Sequence, residues 1–299
     1  MATASGRAVG ERRLVLGLVA FITVFWGLNW PAMKVAVAEL GPLFFRSVNI
    51  YLAAAGLFLL ARLTGEGLRP APGELVRLLP VALVNVGGWH LFTGLGLDRI
   101  EGGRAAIVAY TMPVWAALVE RLWLGVRQGP RVMAALALGV AGVAVLIGPE
   151  LGRLSDRPLG ALLILLAALS WATGSVMTKA GRWSLATLPL TGWQLVLGGM
   201  PVVAIWLVTD PVPDLSGLTW RGIAGTLYAS TIALVLCFAA FIKIVTLLPP
   251  AVAGIAILAT PVVGLVSSAW LLGEPAGLRE FAALALILPA IGLVLLRRR

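Results

Sequence analysis

FWGLNWPAMK (Phe25–Lys34) and SWATGSVMTK (Ser170–Lys179) fall into register at a displacement of 145 residues, with Trp26 on Trp171 and Lys34 on Lys179. The displacement persists downstream. AAIVAYTMPVWAALVERLWLG (Ala105–Gly125) lies over AGIAILATPVVGLVSSAWLLG (Ala253–Gly273) at a shift of 148, with Pro113 on Pro261. Two weak matches in the same order at nearly the same spacing make the chain a tandem of two halves, bounded at 1–150 and 151–299.

Around these stretches the chain is too apolar for water. Of its 299 residues 60% are apolar and only 12% charged, with a mean hydropathy of +0.99, against about a quarter charged in an ordinary soluble domain. Lipid must be the solvent for most of the surface, and there only a helix satisfies its own backbone. Ten runs are long enough to cross, near 14–37, 42–62, 75–97, 103–124, 131–149, 157–179, 186–208, 219–243, 249–272 and 277–296. The expected fold is therefore all-α, a polytopic membrane protein of ten transmembrane helices with five in each half. Short turn-like breaks such as ELGP (39–42), RQGP (127–130) and LLPP (247–250) leave no room for an inserted soluble domain.

The net charge of +10 sits between the apolar runs, so it reads as a topology signal and not as a nucleic-acid surface. With the N-terminus inside, 15 of the 23 Lys and Arg fall on the cytoplasmic side and 8 outside. Both termini are thus expected in the cytoplasm of a cell with an inner, cytoplasmic membrane. Arg12-Arg13 followed by an apolar run and Ala36-Val37-Ala38 imitates a signal peptide. The run from Leu14 is too long for that, and its second half recurs later in the chain. A lone cysteine, Cys237, excludes an intrachain disulfide and a thiolate zinc site.

Five helices per half is an odd number, so the second half enters the membrane from the opposite side. The halves then form inverted repeats about an axis in the membrane plane, a geometry suited to exchanging an outward-open with an inward-open state.

The Trp-rich first helix of each half, Phe45-Arg46 early in helix 2 with Trp193-Gln194 in its counterpart, the prolines of helices 4 and 9, and LLGEP (Leu271–Pro275) carry a resemblance. They resemble the drug/metabolite transporter superfamily, EamA type, over nearly the whole chain. The ten-helix layout is similar to that of amino-acid and metabolite exporters, including the YddG type. That likeness implies a secondary transporter of small amphipathic metabolites working by alternating access, with helices 3, 4, 8 and 9 lining its cavity. GVRQGP (Gly125–Pro130) departs from the GEP form of the second half, so Glu274 has no counterpart by symmetry.

Polar residues inside a membrane are costly and each has a functional and a packing reading. His90, the only histidine, is either a substrate or proton contact or a hydrogen bond between helices. Trp26, Asn29 and Trp30 share one helix face, an aromatic wall with one amide for orientation. Trp26 and Asn29 are assigned to the cavity with Trp171 and Ser175 of the equivalent helix, while Trp30 is left open. Tyr110 and Tyr228 extend the site by the resemblance. Packing is the expectation for Thr231 and Cys237. Lys34 and Lys179 read as snorkelling cations or, more sharply, as captors of an anionic group from alternate faces. Arg46 with Asn49, and Glu120-Arg121, read as interfacial charges or interhelical pairs without a transport role. Pro31, Pro113 and Pro261 are expected to interrupt helices well inside their spans. The rows Ala135/Gly139 and Gly264/Ser268 suit close packing, the default, or a homodimer.

No motif for nucleotide, metal or acyl chemistry is present, so no cofactor, metal or catalytic residue is assigned. The competing readings are a passive channel and a membrane-embedded hydrolase using a buried serine with His90.

Overall fold

The computed structural model describes residues 2–97, 99, 108–154, 158–248, 257–273 and 277–295. Arg104, Arg157, Glu274 and Pro275 lie outside them. The described chain is helical, without a strand. In chain order the rods are α1 (Ala2–Leu40), α2 (Pro42–Leu63), α3 (Glu74–Ala82, Leu83–Gly88 and Trp89–Leu97), α4 (Met112–Leu124) and α5 (Pro130–Leu154). There follow α6 (Pro158–Ala180), α7 (Thr187–Thr209), α8 (Trp220–Leu227, Tyr228–Cys237 and Phe238–Leu247), α9 (Thr260–Leu272) and α10 (Leu278–Leu295).

Six helices among the described residues are long and apolar enough to cross a membrane: Glu11–Leu40, Pro42–Leu63, Glu74–Gly96, Leu162–Ala180, Thr187–Thr209 and Trp220–Val245. Pro130–Gly142 and Thr260–Leu271 are apolar but shorter. Large apolar side chains such as Leu63, Val76, Leu122, Val208 and Trp270 stand exposed on the outside of the bundle. That surface is stable only against hydrocarbon.

Local chemistry sets the helix ends. Gly41, Gly73, Gly125 and Gly273 have φ of 74°, 76°, 66° and 73°, left-handed values that any side chain would strain. The first two precede α2 and α3, and the last two terminate α4 and α9. Thr219 caps α8 by accepting from Arg221 N at 3.2 Å and Gly222 N at 3.4 Å. The prolines of α4 and α9 do mark interruptions inside the runs 103–124 and 249–272. Pro113 and Pro261 stand in the first helical turn, where the missing N–H has no partner to lose. The chain turns just before them, at Tyr110-Thr111 and Ile257–Ala259. Of these three prolines, Pro31 alone lies deep inside a continuous helix.

Both α3 and α8 contain a π-helical stretch, Leu83–Gly88 and Tyr228–Cys237. Wider turns free carbonyls from regular pairing, and side chains of other helices use them: Ser170 Oγ donates to Val84 O, and Trp26 Nε1 donates to Ala233 O at 2.8 Å.

Packing runs across the midpoint of the chain. Helix α2 lies along α7 and α5 along α10; α1 packs on α8 and α9, and α6 on α3 and α4. The approach of α3 to α7 is close enough that a Cβ on Gly198 would sit 2.4 Å from Ala82 O and 2.9 Å from Gly87 N. A Cβ on Gly174 would meet Asn85 Cα at 2.4 Å. The glycine pair before His90 therefore serves packing: a Cβ on Gly87 would be 3.0 Å from Gly198 O, and one on Gly88 would strike Ser170 Oγ. In the small-residue rows, Cβ atoms on Gly139 and Gly264 would meet Leu258 and Trp30 of the same chain at 2.4 Å and 2.9 Å.

Candidate functional site

The interface between the two halves encloses a cavity. Helix α1 contributes Trp26, Asn29, Trp30 and Met33; α2 contributes Phe45, Arg46 and Asn49; α3 contributes Asn85, Val86, Trp89, His90 and Thr93. The rest of the lining is Tyr110 and Met112, Ile164 and Trp171 of α6, and Ala229, Ala233, Leu234 and Phe238 of α8. About 110 Å³ is open to the centres of water molecules, where one water needs only ~10–15 Å³. The space fits a small organic molecule.

Five of the seven residues assigned from the sequence, Trp26, Asn29, His90, Tyr110 and Trp171, stand on this wall. Ser175 is buried but does not line the cavity. Tyr228 is also off the wall; its hydroxyl donates to Phe25 O at 2.9 Å and ties α8 to α1. Trp30, left open above, is on the wall. Trp26 and Trp171 both lie against Phe241, with ring centroids 5.6 Å and 4.8 Å away. This aromatic cluster supplies rigid apolar surface on one side of the cavity.

On the polar wall Arg46 and Asn49 follow the second of the two readings, pairs between helices, and also face the cavity. Arg46 and Asn49 are not interfacial; they are 7% and 1% exposed and face the cavity, because α2 turns this flank toward α3 and α8. Arg46 Nη1 reaches His90 Nδ1 at 3.5 Å, a long contact in which arginine can only donate and Nδ1 must accept. His90 is thus both cavity lining and a partner across helices. Lys34 and Lys179 are exposed and off the wall, and Lys179 Nζ donates to Val245 O at 3.0 Å.

Asn49 Nδ2 donates to Ser230 Oγ at 3.2 Å, joining α2 to α8, and Asn85 Nδ2 donates to Gln194 Oε1 at 3.1 Å, joining α3 to α7. Two carboxylates tie the ends of the bundle. Glu39, at the end of α1, accepts from Thr219 N at 2.9 Å and Thr219 Oγ1 at 2.7 Å. Glu74, at the start of α3, accepts from Ala71 N at 2.8 Å, Ser184 N at 2.6 Å and Ser184 Oγ. Asn29 Oδ1 and Asn85 Oδ1 are buried without a hydrogen-bond partner among the described residues.

These bridges escaped the reading of the sequence, yet a signal for them existed. The displacement of 145 carries Asn49 onto Gln194, Asn85 onto Ser230, Glu39 onto Ser184 and Glu74 onto Thr219. The partners of each bridge are the counterparts of the partners of the other.

An aromatic and amide-lined cavity between membrane-crossing helices is the setting of a small-molecule transporter. The sequence profile of the EamA-like transporter family matches twice, over residues 14–148 and 158–296. The chain belongs to this family, and so to the drug/metabolite transporter superfamily. It is 23% identical over 254 residues to the uncharacterized transporter YoaV of Bacillus subtilis (strain 168), covering 85% of this chain and 86% of that protein. It is 28% identical over 291 residues to the uncharacterized inner membrane transporter YedA of Escherichia coli (strain K12), covering 94% and 90%. A solved crystal structure with 18% identity superposes with a TM-score of 0.74 over 93% of this chain and 95% of its own, a likeness of fold.

Proposed function

We propose that this transporter is a secondary carrier, an exporter of amino acids or related amphipathic metabolites, and not an enzyme. It works by alternating access between inverted five-helix halves, 1–150 and 151–299. The chain crosses the inner membrane ten times with both termini in the cytoplasm, moving its substrate through the cavity of Trp26, Asn29, His90, Tyr110 and Trp171. Ser175 and Tyr228 support that wall from behind.

The observation that carries the reading is the exchange of partners between the halves. Glu39·Thr219 and Glu74·Ser184 interchange under the displacement of 145, as do Asn49·Ser230 and Asn85·Gln194. Every one of these bonds joins the first half to the second. A pair of halves that bind each other through equivalent contacts has two arrangements of similar energy, one with each end released. The two carboxylate latches sit at the end of α1 and the start of α3, which the proposed topology puts on opposite faces. Ser170 and His90 are engaged with Val84 O and Arg46, an arrangement unlike a hydrolytic pair.

Counterflow tests this reading. Proteoliposomes preloaded with amino acids, amphipathic carboxylic acids, nucleosides or small cationic drugs, one class at a time, should show saturable exchange confined to the first two classes. Unsaturable flux of every class would identify a pore. In the same assay Trp26→Ala and Asn29→Ala should each lower exchange by about tenfold, the loss of one good contact, without reducing expression; unchanged kinetics in both would remove α1 from the site. For orientation, a reporter that is active only in the cytoplasm, fused after Arg299, should be active. Activity confined to an external reporter would invert the topology.

A further inference from the structure

We infer that Arg46 is the receptor for an anionic group, and that the cavity selects molecules carrying one carboxylate on an apolar body over zwitterions and amines of the same shape. The inference rests on the transport reading and shifts its substrate class from the zwitterionic amino acids to the related amphipathic acids, with amino acids the weaker ligands.

Arg46 is the one charged side chain on the described wall, and no Asp or Glu accompanies it. It is 7% exposed, so its guanidinium has left water. Its contacts are the His90 ring nitrogen at 3.5 Å and the face of Phe45, whose ring centroid lies 5.9 Å from Cζ. Neither supplies negative charge, and among the described residues no carboxylate pairs with it. A buried cation without an anion is costly to keep, and arginine keeps its charge where lysine would shed it.

The planar fork of N–H donors matches a carboxylate in bidentate fashion. Asn49 and His90 stand beside it on the same wall, polar groups able to hold the remaining lone pairs. One cation neutralises one charge, so a monoanion fits where a phosphate, with its charge of about −1.5 to −2, leaves an excess. Away from Arg46 the wall is Trp26, Trp30 and Trp171, which takes an apolar or aromatic body.

The test uses four probes with one phenylethyl body: 3-phenylpropionate, phenylalanine, phenethylamine and the neutral 3-phenylpropanamide. Binding is read on detergent-purified full-length protein by thermal stabilisation, and exchange by counterflow. The wild type should bind 3-phenylpropionate more tightly than phenylalanine, and phenethylamine most weakly. Arg46→Gln should weaken the acid by about tenfold or more, as expected for one lost charge-assisted contact, while the amide binds as before. That unchanged amide separates a receptor from a merely structural residue. Should Arg46→Gln fail to fold, Arg46→Lys loses the fork and retains an amine that a bound carboxylic acid can protonate, and should give an intermediate affinity for the acid. Equal or tighter binding of the amine in the wild type, no stabilisation by any of the four, or wild-type affinity for the acid in Arg46→Gln or Arg46→Lys would overturn the assignment. Acid binding that depends on Arg46 without counterflow would support the receptor and overturn the transport reading instead.

Discussion

Glu74→Ala speeds the labelling of Cys237 by a membrane-impermeant maleimide by about an order of magnitude, whereas Glu39→Ala does not. The carboxylate of Glu74 is fully buried and accepts from two backbone N–H groups and one hydroxyl, tying the start of α3 to the turn after α6. Alanine leaves those donors unpaired, a loss of roughly 1–3 kcal/mol. Under the alternating access proposed above, with the two states near balance, that loss goes into the equilibrium: about 1.4 kcal/mol is tenfold in population. The released end is the one nearest Cys237, which is 0% exposed and packed with Val19, Ile22 and Trp171 between α1, α6 and α8. Glu39 holds Thr219 at the other end of the bundle, so its removal biases the opposite state. Labelling that rises equally in both variants would mean general loosening and not a gate; labelling unchanged in both would deprive the latches of a role.

Gly198→Ala is expected to be among the most damaging single methyl groups in the fold. Its Cβ would stand 2.4 Å from Ala82 O, 2.6 Å from Val86 Cβ and 2.9 Å from Gly87 N. Two of these three atoms are backbone and cannot rotate away, so α3 and α7 must separate. Overpacking costs about 1–3 kcal/mol in a core that can adjust, and rigid backbone puts this site at the upper end. The expected result is a lower unfolding temperature in detergent and poor recovery from membranes. Gly17→Ala is the matched control, since nothing lies within 4 Å of its Cβ. There the change should be neutral or slightly stabilising, by up to ~1 kcal/mol. Equal behaviour of the two variants would contradict the close approach of α3 and α7.

Much of this was legible because lipid imposes a simple rule. Every crossing must be helical and apolar, so the runs and their turns stand out, and the doubled FWGLNWPAMK and SWATGSVMTK motif exposes the tandem. Trp26 and Trp171 could be placed in a cavity because they recur at equivalent positions deep in their helices, and Asn29 because it shares the helix face of Trp26. Arg46 could not. A cation four residues from the start of α2 reads as interfacial on depth alone, and the helix around it is apolar on every side. The interruptions at Pro113 and Pro261 were legible, but not that each proline opens the helix that follows the turn, because a run of apolar residues looks continuous.

The sequence by itself determined that the chain lives in a membrane, that it is helical, and that it is built twice. Only the tertiary structure decided which way each helix faces and which residue answers which. In water the apolar stripe of a helix marks its inward side, but in lipid both sides are apolar and the stripe vanishes. The rotation of α2 that turns Arg46 inward, and the crosswise pairing of Glu39 with Thr219 and Glu74 with Ser184, come instead from the packing of one half against the other. No local pattern in either half carries that information, because each partner lies in the other half of the chain.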